Sequence, residues 1–108
     1  MSYSVSSLPL FDKQVKKLAK KYPSLKNDLS ELISSLSEKP LLGTALGNNF
    51  YKIRLAISSK GKGKSGGARV ITYIKITQNT VYLTYIFDKS EKSTISDLEL
   101  EQIFKLFT

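Results

Sequence analysis

Phe50-Tyr51-Lys52-Ile53-Arg54-Leu55-Ala56-Ile57-Ser58 alternates Tyr51, Ile53, Leu55 and Ile57 with Lys52, Arg54, Ala56 and Ser58. A period of two marks a strand buried on one side, and it sends Lys52 and Arg54 to the face opposite the apolar row. Two segments rich in β-branched residues follow, 68–76 and 80–87, with Gln78 and Asn79 between them as a tight turn. Three consecutive strands with short connections predict an antiparallel meander.

Upstream, the period changes to that of helices. Phe11, Val15, Leu18, Ala19 and Tyr22 form one apolar stripe, and Lys13, Lys16, Lys17, Lys20 and Lys21 occupy the other faces. Pro23 ends this helix and suits the start of the next, in which Leu25, Leu29, Leu32, Ile33 and Leu36 make a second stripe that stops before Pro40. Downstream, Ser96 and Glu99 have capping-box spacing, with Asp97 in the first turn, and Leu98, Ile103, Phe104 and Phe107 give a short third stripe. A further short strand is expected near Tyr3 to Val5. The expected architecture is α+β: two N-terminal helices packed on a small antiparallel sheet, with a short C-terminal helix, as a single domain over residues 1–108.

Composition narrows the chemistry. The chain has 108 residues, of which 41% are apolar, enough for an ordinary core at this size. It has no Cys and no His, which excludes disulfides, thiol nucleophiles, imidazole or thiolate metal sites and any Ser-His-Asp triad. Proton transfer would have to use Lys, Arg, Tyr or carboxylates. Met1 to Pro9 has no apolar run of signal-peptide length, and no stretch approaches a membrane span. A cytoplasmic protein without a membrane, metal or cofactor is the expectation.

Seventeen Lys and Arg against nine Asp and Glu leave a formal charge of +8, and the excess is unevenly placed. No acid lies between Glu38 and Asp88, whereas Lys39, Lys52, Arg54, Lys60, Lys62, Lys64, Arg69 and Lys75 do. Such a field suits a polyanion such as RNA, although a solvated face would look the same. Arg69 should open the strand next to Lys52 and Arg54, allowing three cations to meet at one phosphate. The connecting loop, Lys60-Gly61-Lys62-Gly63-Lys64-Ser65-Gly66-Gly67, is mostly Gly and Lys. It can approach a nucleic-acid backbone closely, which marks Lys60, Lys62 and Lys64 as candidate RNA contacts. It is not a phosphate-loop NTPase motif, because Ser58 stands where the first Gly is required and the loop leads into a strand. Tyr73 shares the face of Arg69 and is a candidate for stacking on a base or donating a proton.

Several segments together resemble the RelE/ParE superfamily of type II toxin–antitoxin toxins, nearest its RelE/HigB-like branch. They are Lys20-Lys21-Tyr22-Pro23-Ser24-Leu25, Gly43-Thr44 with Leu46-Gly47, Tyr51-Lys52-Ile53-Arg54-Leu55, residues 62–71, and Asp88-Lys89-Ser90-Glu91. The resemblance implies a ribosome-dependent endoribonuclease cleaving mRNA in the decoding site, restrained by a cognate antitoxin protein. It places the catalytic basic residues on Lys52, Arg54, Arg69 and Lys89. No metal is called for: the ribose 2′-hydroxyl loses a proton and attacks the adjacent phosphorus, cations stabilise the phosphorane, and the 5′-oxygen is protonated. Lys52 is the expected base, with Arg54 and Arg69 gripping the phosphate through forked hydrogen bonds. The chain departs from the RelE pattern after the last strand, where Ser90 and Ser96 replace an Arg and a Tyr, and Lys89 or Tyr73 would have to substitute. A non-catalytic RNA- or ribosome-binding module and a ParE-like inhibitor of DNA gyrase are the alternative functions.

Overall fold

The computed structural model describes residues 2–61 and 63–108. In chain order the elements are β1 (Ser4–Ser7), α1 (Pro9–Lys21), α2 (Leu25–Glu38), β2 (Thr44–Gly47), β3 (Phe50–Leu55), β4 (Ala68–Lys75), β5 (Thr80–Asp88) and α3 (Asp97–Phe104). They form one five-stranded sheet in the order β1-β5-β4-β3-β2. The meander β3-β4-β5 is its centre, as the alternation requires, and the expected N-terminal strand is present.

The sheet is mixed, because β1 runs parallel to β5 while every other pairing is antiparallel. It also contains a strand that the sequence reading did not anticipate. Chain reversal between β2 and β3 uses Asn48 and Asn49, both with positive φ, which closes a tight hairpin that Asn tolerates better than most side chains. At Gly43, φ is +96° and an added Cβ would strike the carbonyl of Lys52, so only glycine lets the chain enter β2 so close to β3.

The two sheet faces have separate cores. On one, Phe11 and Leu18 of α1, Tyr22 just after it, and Leu25, Leu29, Leu32 and Leu36 of α2 pack on Ile53, Leu55, Val70, Ile74, Val81, Leu83 and Ile86. On the other, Phe50, Ile71, Tyr73 and Phe87 are covered by Ile95 and by Ile103 of α3, with Phe104 and Phe107 against them. Burial on both faces explains why β4 reads as a nearly continuous apolar run. Leu98, expected in the α3 stripe, is instead 63% exposed, and Leu100 takes its place against the sheet. Among the described residues, no helix is long and apolar enough to cross a membrane.

Candidate active site

Register brings the three candidate cations of β3 and β4 together. In the antiparallel pair, Arg54 lies directly opposite Arg69 and Lys52 opposite Ile71. Opposed residues share a face with Cβ atoms about 5 Å apart, and Lys52 is two residues from Arg54 along the strand. The arrangement follows from the helix-side core: Ile53 and Leu55 point toward α1 and α2, so their neighbours must point the other way.

Arg69 is only 5% exposed. Its Nη1 donates to the carbonyls of Lys64 (2.9 Å) and Ala68 (3.1 Å), and Nη2 donates to that of Ser65 (3.4 Å). Three of its five N–H donors are thus engaged, leaving two for a ligand. Burial lowers its pKa and the charge of Arg54 pushes the same way, yet a guanidinium remains charged at neutral pH. Among the described residues, the lysines in ion pairs are Lys21, Lys60 and Lys92, and no carboxylate pairs with Arg54 or Arg69. Like charges facing each other across a ladder without a counter-ion are destabilising, and an anion placed at this corner of the sheet would relieve the repulsion.

Beside it, a groove of about 690 Å³ runs round the edge of β3 between α2 and the 58–67 loop. Lys52, Arg54, Lys64 and Lys39 line it together with Asp28 and Glu31, and Ile53 and Leu55 contribute apolar wall. Arg69 lies one strand further in and is not part of that wall. β2 pairs with β3 only as far as Lys52, which leaves the groove open at this edge.

The remaining candidates divide. Lys64 lines the groove and its carbonyl holds Arg69. Lys89 donates from its backbone N–H to the Gly67 carbonyl (3.0 Å), beside the start of β4, while its Nζ donates to the Ser93 carbonyl (2.7 Å). Lys62 lies outside the described residues. Lys60 does not present its charge to solvent: its side chain is 9% exposed, and Nζ donates to Asp88 Oδ1 at 2.7 Å and to Ser90 Oγ at 3.2 Å. Asp88, fully buried, also accepts from the Tyr22 hydroxyl at 2.7 Å. Burial pushes the Asp88 carboxyl upward, but the Lys60, Tyr22 and Ser90 donors outweigh it and hold the group far below the usual carboxylate range.

Tyr73 does share the face of Arg69, but it is core. Its ring stacks on Phe107 with centroids 4.2 Å apart and touches Phe50 and Phe104, so no base can reach it in this conformation. Ser90 and Ser96 are likewise engaged locally. Ser90 Oγ donates to Asp88, and Ser96 caps α3 by accepting from the Glu99 N–H at 3.1 Å.

The register also adds a flank of β5 to the cationic face, including Tyr85, whose place in a strand suggests core packing. Phe87 lies opposite Arg69, and Tyr85 opposite Ile71, so both share the cationic face. The Tyr85 hydroxyl donates to Glu99 Oε2 at 3.1 Å, and Lys92 pairs with Glu99 Oε1 at 2.9 Å. Burial and this bond both push the Tyr85 hydroxyl pKa upward. Strict alternation along β5 would group Tyr85 and Phe87 with Val81 and Leu83 on the helix side, and the register shift opposite Ile71 and Thr72 moves them to the other face. Among the described residues, no group of three His, Cys, Asp or Glu side chains is placed to hold a metal.

A double-arginine mutant of the Escherichia coli toxin RelE in the free state matches this structure with a TM-score of 0.67 at 15% identity, covering 100% of both chains. The intact E. coli RelBE toxin–antitoxin complex matches at 0.61 and 17%, over 81% of this chain and 96% of that one. A metal-bound toxin from Helicobacter pylori matches at 0.52 and 21%, over 82% and 97%. The helix pair, the mixed sheet and the short closing helix thus have the fold of these toxins. Residues 10–108 match the family described as the RelE toxin of the RelE/RelB toxin–antitoxin system, and the chain belongs to that family.

Proposed function

We propose that this toxin is a metal-independent endoribonuclease that cuts mRNA on the ribosome and so stops translation. The observation that carries the reading is the buried, carboxylate-free Arg69 facing Arg54 across the β3–β4 ladder, with Lys52 two residues away. A scissile phosphodiester supplies the missing negative charge. Its two non-bridging oxygens suit the forked donors of two arginines, which stabilise the additional charge of the phosphorane. Lys52 takes the 2′-hydroxyl proton as the oxygen attacks phosphorus. Breaking the bond to the 5′-oxygen leaves a cyclic phosphate and a 5′-hydroxyl.

Lys89 supplies the proton to the departing oxygen. It lies two residues beyond Phe87, the cross-strand partner of Arg69, and its Nζ exchanges the Ser93 carbonyl for the substrate. The open cationic groove also fits an acidic segment of an antitoxin that folds on binding, so the inhibitor and the RNA compete for one field.

The test uses ribosomes programmed with a defined mRNA. Cutting within the decoding site is expected, and an mRNA carrying a single 2′-deoxynucleotide at the cut position is expected to survive, because it lacks the nucleophile. Cutting of the deoxy substrate, or none of the ribose substrate, overturns the mechanism. Inhibition of DNA supercoiling without RNA cleavage would transfer the function to gyrase.

A further inference from the structure

Among the described residues three charged side chains are buried, Asp28, Arg69 and Asp88, and each is tied to the 58–67 loop. Asp28 accepts from the Ser58 hydroxyl at 2.6 Å and from the Ser58 N–H at 3.0 Å, just after β3. Asp88 holds Lys60 at 2.7 Å. It also accepts from the Ser90 N–H at 3.0 Å, in the turn where the Lys89 N–H reaches the Gly67 carbonyl at 3.0 Å. Gly67 itself sits so close to β3 that an added Cβ would strike the Leu55 carbonyl. Between these anchors, the carbonyls of Lys64 and Ser65 receive the Arg69 guanidinium. A segment with glycine at four of its eight positions, 60–67, is thus fastened at both ends.

Burying a carboxylate is costly unless it is paired and hydrogen-bonded, and here two are buried for one loop. Stability does not account for the Lys60–Asp88 pair, since apolar residues of similar size in place of a buried ion pair often serve the fold as well. Nor is Lys60 free to follow a phosphate: its Nζ also donates to Ser90 Oγ and lies 5.4 Å from the centre of the Tyr22 ring. The need lies at Arg69. It faces the like charge of Arg54, and no carboxylate among the described residues retains it, so a free guanidinium would turn away. Carbonyl oxygens retain it by their dipoles and leave its net charge for an anion, whereas a carboxylate in their place would cancel that charge. They can aim it only if the loop that bears them is itself fixed.

We infer that Lys60 and Asp88 are positioning residues for the proposed reaction: with Asp28 and Ser58 they fix the loop whose carbonyls keep the Arg69 guanidinium beside Arg54. The loop is then a preset part of the site and not a flexible arm that trails along RNA. The inference rests on that reaction for its purpose and deepens it, while the aim of Arg69 is measurable without any cutting.

The chain has two arginines, so arginine-selective nitrogen-15 labelling of the full protein shows Arg54 and Arg69 alone. A guanidinium held by carbonyls rotates slowly and gives separate Nη signals, whereas a free one gives an averaged signal. Wild type should show the separate form for Arg69. Lys60→Met combined with Asp88→Asn removes both charges and leaves neither buried alone, which keeps the fold. Ser58→Ala releases the other anchor by removing one hydroxyl. In both variants the Arg69 signals should collapse to the averaged form. On programmed ribosomes kcat of the double variant should fall by roughly 10²-fold with KM unchanged, because a misplacement of about 1 Å is enough for such a loss. Arg69 signals that stay separate in the folded variants overturn the inference, and so does full kcat with a freely rotating Arg69. A wild type that never cuts, with the signals behaving as expected, sinks the proposed reaction and leaves the positioning of Arg69 standing.

Discussion

Arg54 and Arg69 form a residue pair unfavourable for the fold, which the proposed reaction would put to use. Placed directly opposite each other without a carboxylate, they repel, and Arg69 does so from a buried position. Removing the exposed partner should relieve that repulsion. Arg54→Gln is expected to stabilise the protein by about 0.2–1 kcal/mol, the range for charged cross-strand pairs, and more at low salt than at high salt. RNA cleavage should fall at the same time. Urea unfolding at two salt concentrations checks the first effect, and a variant less stable than wild type at low salt would show that the pair is not repulsive. Strand alternation identified Arg54 with Lys52, since it requires only the buried positions of Ile53 and Leu55, whereas Arg69 opposite Arg54 depends on the strand register. Lys60 could not be read in that way: its partner, Asp88, is distant in sequence, and only the folded chain brings them to 2.7 Å.

Among the elements, α3 depends on one carboxylate. Glu99 completes the capping box with Ser96, pairs with Lys92 and accepts from Tyr85, which ties the helix to β5. The Ser96 N–H and the Lys92 ammonium lead in lowering its pKa from the ordinary 4.5 to about 2. A depressed carboxylate stabilises the fold above its unfolded pKa and loses that contribution as pH falls through the folded one. The docking of α3 should therefore weaken as pH falls from about 4.5 toward about 2, releasing the Phe107–Tyr73 stack. Near-ultraviolet circular dichroism of the tyrosines should report a step in that window, and Glu99→Gln should remove it. A step of the same size in the variant would place the titration elsewhere. The capping box was legible because it is local. β2 was not, because Thr44-Ala45-Leu46-Gly47 has weak strand propensity, and only the Asn48-Asn49 turn signalled a hairpin. The burial of Tyr73 was hidden for a different reason: alternation gives its face, but nothing local says that Phe104 and Phe107 will cover it.

Across the whole molecule, Asp88 is the knot between parts distant in sequence, joining Tyr22 at the end of α1, Lys60 in the loop, and Ser90 after β5. Asp88→Asn leaves the Lys60 charge buried without its partner, and is expected to cost roughly 3–5 kcal/mol. A urea midpoint near that of wild type would contradict that role. The same knot fixes one end of the loop whose carbonyls hold Arg69, and so connects the helix-side core to the cationic face. Order and type of the main elements were accessible from period, and the common face of Lys52 and Arg54 from alternation, while the pairing of Arg54 with Arg69 required the folded register. The parallel β1 and the aromatic lid depend on long-range packing that no local pattern encodes.

The most direct test of the central claim is a double-mutant cycle on Arg54 and Arg69, read as kcat for mRNA cutting on programmed ribosomes. If both grip one phosphorane, each single alanine variant loses roughly 10²–10³-fold, and the double variant loses far less than their product. Losses that multiply, or cutting that survives in both single variants, would mean that the two arginines do not act on one phosphate.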